Sequence, residues 1–299
     1  MTETLEFTNN EKGIRLDKAV SAQLPDISRS QVQQMIADGM VMVNGEPLKA
    51  GVKLNGGESV HIMLPEPEND ELAPQSMDLN IVFEDDHLAV IDKPAGLVVH
   101  PGVGNADGTL VNGLLARYPH LIETERKGIV HRLDKDTSGL MVIGLTAEAI
   151  EDLMMQFQER TVDKAYLALC EQAPATATGV IDAPIGRDPK ARKRMAVVRD
   201  GKPAVTEFEV LENEFSGGQA LVRCKIETGR THQIRVHMAF VNAPIVGDPV
   251  YGYRKQRVKL KRQFLHAAEL AFDHPETGER MGFTSPLPYP LQNLLDKLR

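Results

Sequence analysis

"GIVHRLDKDTSGLMVIGLTAEAIEDLMMQFQER", residues Gly128–Arg160, decides the architecture of the larger part of this chain. Its middle, "LMVIGL", is an unbroken apolar run of strand length, and "AEAIEDLMMQFQER" places its apolar residues at helical spacing. The segment therefore reads as a polar loop, a buried strand and an amphipathic helix. Working outward, "IVFEDDHLAVIDKP" reads as a hairpin turning around Glu84–His87, and "KAYLALC", "VTEFEVLEN" and "ALVRCKIET" read as further strands. "LHAAELAFDHP" and "MGFTSPLP" form another expected strand pair before a closing helix in "PLQNLLDKLR". Helices do not alternate regularly with strands, as a parallel doubly wound sheet requires, so residues 79–299 are expected to be α+β with a mixed, largely antiparallel sheet.

A separate small α+β unit is expected over residues 13–64. "RLDKAVSAQL" and "SRSQVQQMIADG" have helical periodicity, with Ser28 as N-cap of the second, and "MVMVNGEPL" is a hairpin whose Asn44-Gly45 signals a type I′ turn. Residues 1–12 are read as an N-terminal arm. Residues 65–78, acidic and proline-bearing at "PEPENDELAPQ", are read as a linker.

The early acids of "MTETLEFTNN", and the lack of any run of roughly 18 apolar residues, support neither a signal peptide nor a membrane span, so a cytoplasmic protein is expected. Cys170 and Cys224 lie in apolar strand patterns without CxxC spacing, which fits a reducing compartment. The net charge of −8 argues weakly against a nucleic-acid partner. Two runs oppose that average, "GRDPKARKR" (186–194) and "RKQRVKLKR" (254–262). Each is either a solvated loop or a phosphate-binding patch.

Three clusters carry candidate chemistry. In "GIVHRLDKDTSG", Asp134 sits between Arg132 and Lys135, which would keep its carboxylate ionised, and it is positioned to act as nucleophile or base. Asp136, Thr137 and Ser138 are expected to satisfy the turn backbone, and a salt-bridged polar turn is the competing reading. In "ETGRTHQIRVHM" a helix capped by Thr231 would put His232 and Arg235 on one face, suited to a phosphate or a carboxylate. The five-residue spacing of His232 and His237 does not match a helical zinc site. In "KAYLAL", Tyr166 is either a packing residue or a platform on which a base stacks. "HPGVGNADG" lacks the spacing of a phosphate loop and reads as a shaped loop.

Together "DKPAGLVVHPG", "HRLDKDTSGL", "KAYLA", "TGRTHQIRVHM", "GDPVYG" and "RQFLHA" resemble the successive motifs of the pseudouridine synthases that modify ribosomal large-subunit RNA, over nearly the whole chain. "RLDKAV", "SRSQVQQMI" and "VMVNG" resemble an S4 RNA-binding domain. The resemblance implies that Asp134 is the catalytic aspartate, Tyr166 stacks on the target base and Arg235 pairs with the aspartate. It implies that Arg132 enters the RNA helix during base flipping, and places Lys202 and Leu265 near the site with His131, Arg230 and His232 as substrate contacts. Arg187, Lys190, Arg192, Lys193, Arg194, Arg254, Lys255, Arg257 and Lys259 become expected RNA backbone contacts. The implied reaction isomerises specific uridines of large-subunit (23S) RNA with no cofactor and no metal. The expected partner is an rRNA stem-loop, free or within a pre-assembled or mature subunit, and the expected state is a monomer. The segment between "VYGYR" and "RQFLHA" is shorter than that family's usual one. A non-catalytic RNA-binding protein and a carboxylate-dependent nucleoside glycosidase are the alternatives from other classes.

Overall fold

A computed structural model of the chain describes residues 4–25, 27–64, 72–102, 104–191 and 194–299. It divides into two compact units, residues 1–71 and 72–299.

The first unit contains β1 (Thr4–Asn9), α1 (Leu16–Gln23), α2 (Arg29–Ala37), β2 (Val41–Val43), β3 (Glu46–Pro47) and β4 (Glu58–Met63). The strands form one antiparallel sheet in the order β1-β4-β2-β3. Both helices bury one face with it through Leu16, Val20, Val32, Ile36, Val41, Val60 and Ile62. Ser28 caps α2 as expected, and Gln31 reaches back to its amide to complete a capping box. Asn44 and Gly45 take φ of +50° and +84°, the two left-handed residues a type I′ turn requires. One expectation fails here. Thr4–Asn9 is no arm: it pairs with β4 along its whole length as an edge strand. Its alternation of half-buried Leu5 and Phe7 with exposed neighbours was the available signal.

The second unit runs β5 (Ile81–Glu84), β6 (Leu88–Lys93), α3 (Leu110–Arg117), β7 (Ser138–Gly144), α4 (Ala147–Glu159), β8 (Asp163–Cys170), β9 (Thr178–Asp182), β10 (Ile185–Arg187) and β11 (Met195–Val197). It continues with β12 (Val205–Glu212), β13 (Ala220–Ile226), α5 (Gln233–Phe240), β14 (Leu265–Asp273), β15 (Arg280–Thr284) and α6 (Tyr289–Leu298). Its main sheet has the order β5-β6-β7-β14-β8-β13-β12-β9, with β15 beside β14. Among the described residues only β7 and β14 pair in parallel, so the sheet is mixed and largely antiparallel, as expected. The parallel contact is close: a Cβ on Gly139 would lie 2.2 Å from the carbonyl oxygen of Ala267, at a φ of +119°. Gly139 thus seats the strand directly after the Asp134 loop. One face of the sheet packs α3 and α6 into the principal core. The other packs α4 through Leu153 against Val90, Leu140, Val142, Leu270 and Phe272. Of the expected linker, residues 65–71 lie outside the described residues, and Leu72 already packs against the principal core. No helix among the described residues is long and apolar enough to cross a membrane.

Candidate active site

The loop that leads into β7 is fastened from two sides. From one, the buried Lys93 donates from Nζ to the carbonyls of Pro94 (2.9 Å), Leu97 (3.0 Å) and Lys135 (3.2 Å), and the Gly96 amide also donates to Lys135. From the other, Arg262 donates to the Asp136 carbonyl at 3.0 Å, Gln263 to the Thr137 hydroxyl at 3.2 Å, and Ser138 bonds His266 at 3.0 Å. Thr137 and Ser138 therefore serve side chains from the β14 end, where the sequence suggested local backbone partners. This frame leaves the Asp134 carboxylate facing a cleft, with a fifth of its side chain exposed.

Arg235, in the first turn of α5, meets that carboxylate from 101 positions away, its Nη1 donating to Oδ2 at 2.9 Å. The rest of the guanidinium is already committed: Nε and Nη2 fork onto Asp248 at 2.7 and 3.0 Å. Asp248 is fully buried and is itself pinned by the amides of Val250 (2.8 Å) and Tyr251 (3.0 Å). Burial disfavours the charge on Arg235, but the two carboxylates outweigh it and hold its pKa up. Burial likewise works against the charge on Asp248, while Arg235 and the two amides bring its pKa down. Arg235 is thus anchored on one aspartate while it orients the other. The Tyr251 ring lies beneath it, 5.2 Å from its guanidinium carbon to the ring centroid.

The helix start departs from expectation. His232, with φ of +58°, is the N-cap in place of Thr231, and no side chain caps it in the usual way. Gln233 does the anchoring: its Oε1 accepts from the Arg230 amide and the Thr228 hydroxyl, and its Nε2 donates to Val205 and Thr206. The left-handed turn brings His232 Nε2 to 4.0 Å from Asp134 Oδ1, while Nδ1 bonds the Tyr251 hydroxyl at 2.9 Å. Burial pushes the His232 pKa down against the pull of Asp134. His237 is wholly buried, with both ring nitrogens engaged by Thr206 and Ala183.

The cleft encloses about 500 Å³, counting the solvent at its mouth, and is lined by Asp134, Arg235, Tyr166, Arg132, Arg230, His232 and Leu265. Leu133, Ile226, Ile234 and Leu265 supply apolar wall, while Tyr166 presents a ring from the middle of β8. Burial first, and the charge of Asp134 second, push the Tyr166 phenol up, so it stays protonated at neutral pH.

Not every expected contact belongs to this cleft. Lys202 is exposed outside it, and its described contacts are backbone bonds to Ile185. His131 is absent from its walls: Nε2 accepts the Val142 amide at 3.1 Å and the ring stacks on Phe157 at 4.6 Å. Burial, with the Lys164 charge added, pushes its pKa down to about 3. The unfolded histidine takes up a proton near pH 6.5 and the native one does not until about pH 3. Between those values stability therefore falls by up to about 1.4 kcal/mol per pH unit as pH drops. Urea unfolding at pH 7 and pH 5 is expected to show His131→Gln, which keeps an acceptor for Val142, losing about 1–2 kcal/mol less than the parent over that interval. Equal losses in both proteins would remove this role.

The basic runs divide. Arg187 ends β10, and Lys190 donates from its amide to Asp188 within the β10–β11 connection. Arg192 and Lys193 lie outside the described residues. Arg194 reaches the site by stacking on Tyr251 at 5.3 Å. Arg254, Lys255 and Lys259 are exposed, whereas Arg257 is spent on the Gly217 carbonyl at 2.9 Å.

Residues 87–240 match the family model described as RNA pseudouridylate synthase, and residues 14–60 match the S4 domain. A relative from Nitrosomonas europaea, ribosomal large subunit pseudouridine synthase D, is 48% identical, covering 99% of this chain and 88% of that one. This chain belongs to the RNA pseudouridylate synthase family. An uncharacterized RNA pseudouridine synthase of Bacillus subtilis is 46% identical over 98% of this chain and 96% of its own. The ribosomal large subunit pseudouridine synthase D of Escherichia coli O6:H1 is 43% identical over 99% and 94%. Among solved structures, human RNA Pseudouridylate Synthase Domain Containing 1 superposes with a TM-score of 0.59 at 29% identity, covering 79% of this chain and 98% of that one. The protein is an RNA pseudouridine synthase, an isomerase carrying an S4 RNA-binding domain.

Proposed function

We propose that this pseudouridine synthase isomerises uridines of large-subunit (23S) ribosomal RNA, with Asp134 acting on a uridine extruded from its stem-loop into the cleft. One observation carries the reading: the Asp134 carboxylate, the Arg235 guanidinium and the Tyr166 ring line one cleft although they come from three distant segments. The substrate assignment is supported by the relatives named for the large ribosomal subunit, 43–48% identical across nearly the full length of this chain.

The reaction breaks the N1–C1′ bond, turns the freed uracil and joins C5 to C1′. The C5 proton departs and N1 gains one, so no redox partner is needed. Asp134 initiates it by attack on C1′ or by removing a sugar proton. In either route the Arg235 contact fixes the carboxylate's position before the base arrives, and the low dielectric of a closed cleft strengthens that pairing. Tyr166, kept neutral, serves as a stacking surface. Extrusion costs a few kcal/mol, and one aromatic stack returns about 1–3 kcal/mol of it. Arg132, exposed and lining the cleft without a carboxylate partner among the described residues, would fill the vacated position in the RNA helix.

Comparing pseudouridine maps of 23S RNA from cells with and without the gene tests the substrate. Specific pseudouridines should vanish with the gene and return on complementation. An unchanged map would instead favour a non-catalytic RNA-binding role.

A further inference from the structure

Beside the catalytic cleft lies a second cavity of about 890 Å³, open to solvent, that shares Arg132 and Tyr166 with it and extends to Arg126, His131, Phe157 and Lys164. Lys164 is only 6% exposed, yet among the described residues it has neither a hydrogen bond nor an ion pair. Its Nζ sits 5.1 Å from the centroid of the Phe157 ring, on the cavity side. The neighbouring Asp163 favours its charge only at a distance, being engaged directly by Lys225 and Arg280. Arg126 and Arg132 are equally without carboxylate partners among the described residues. Glu227, the acid in the wall, lies 3.6 Å from Arg160. His131 is neutral, and burial followed by the charges of Arg132 and Arg126 pushes His100 down as well.

Burial of the side chain, offset only in part by the charge of Asp163, lowers the Lys164 pKa to about 8, where most of it still carries its proton at pH 7, so an ammonium with no direct partner lines the cavity. Three cations around one concavity, none in an ion pair among the described residues, describe a site for an anion. Position identifies which anion. Lys164 and Tyr166 are two residues apart on β8, so they share a face and lie about 6.6 Å apart along the strand, a separation one nucleotide spans. A uridine stacked on Tyr166 would leave its adjoining backbone at the partition between cleft and cavity. We infer that this second cavity is a phosphodiester subsite, in which Lys164, with Arg126 beside it, holds the backbone phosphate next to the target uridine. The inference rests on the reading above that the Asp134 cleft receives that uridine.

The test uses the full chain, Lys164→Met and Lys164→Arg, with an RNA stem-loop that the parent enzyme modifies, made unmodified and with single methylphosphonate linkages. Lys164→Met should keep or raise the Tm, because it removes an unpaired buried charge. It should raise KM about tenfold with kcat changed less than about threefold, and flatten the log–log salt dependence of binding by about 0.7. Lys164→Arg should restore most of the affinity. One methylphosphonate within a nucleotide or two of the target should weaken the parent about tenfold and have no further effect on Lys164→Met. A lowered Tm with unchanged KM would make Lys164 a structural residue and overturn the proposal. So would every methylphosphonate acting equally on parent and variant. If the parent modifies no large-subunit RNA, the substrate reading fails by itself, and the linkage scan on the RNA it does modify still decides the subsite.

Discussion

Asp134→Asn should abolish isomerisation while leaving RNA affinity and the fold nearly intact. The amide oxygen can still accept from Arg235 Nη1, and Arg235 keeps its fork onto Asp248, so no buried charge is left alone. Asparagine can neither attack C1′ at a useful rate nor take up a proton, so the loss should be at least about 10³-fold, equivalent to about 4 kcal/mol of barrier. Because the side chain is a fifth exposed, the stability cost should stay near 1 kcal/mol. Single-turnover pseudouridine formation, with RNA binding measured on the same preparation, checks both halves. Turnover within tenfold of the parent would remove Asp134 from the chemistry, and equal loss of binding and turnover would make it a binding residue.

The second large effect concerns Asp248. In Asp248→Asn the carboxylate that compensates the buried Arg235 disappears, and an amide donor can be brought against Nε. Breaking one side of a buried ion pair costs about 3–5 kcal/mol, which for a unit of this size means a Tm lower by roughly 10 °C. Activity should fall as well, since Arg235 then turns more fully onto Asp134 or swings away. Arg235→Met combined with Asp248→Asn should recover much of the stability, because neither charge remains, but none of the activity. Calorimetry of the two single variants and the double variant reads this directly. Additive losses of stability would show that the two side chains do not act as a pair.

These two aspartates mark the boundary of what the sequence discloses. Asp134 is legible because it stands in a loop far richer in ionisable groups than a turn needs, beside a strong apolar run. Its neighbours Arg132 and Lys135 look like its charge partners. In the folded chain neither pairs with it: Lys135 reaches Asn105 at 3.4 Å, and the ion pair is made by Arg235. Asp248, before a proline in "GDPVYG", looks like an ordinary turn residue, and nothing local signals a buried counter-charge. Lys93 and Arg262 hide for the same reason, since their acceptors are carbonyls supplied by tertiary contact.

Local signals fared better where one physical cause dominated. The Asn44-Gly45 turn, the Ser28 cap and the apolar run of β7 each appear as read. The start of α5 differs from the Thr231 cap that the sequence suggests because Gln233, two positions beyond Thr231, takes up the free groups, and His232 turns left-handed. The resemblance implies His131 as a substrate contact, yet its ring lies outside the Asp134 cleft and serves Val142 and Phe157.

The central claim is that one carboxylate, held by Arg235, moves uracil from an N1 to a C5 linkage without letting it go. Large-subunit RNA labelled with tritium at uridine C5 tests it most directly. The parent enzyme should release tritium to water in step with pseudouridine formation, with no free uracil and no release by Asp134→Asn. Undiminished release by that variant, or free uracil as the product, would contradict the account.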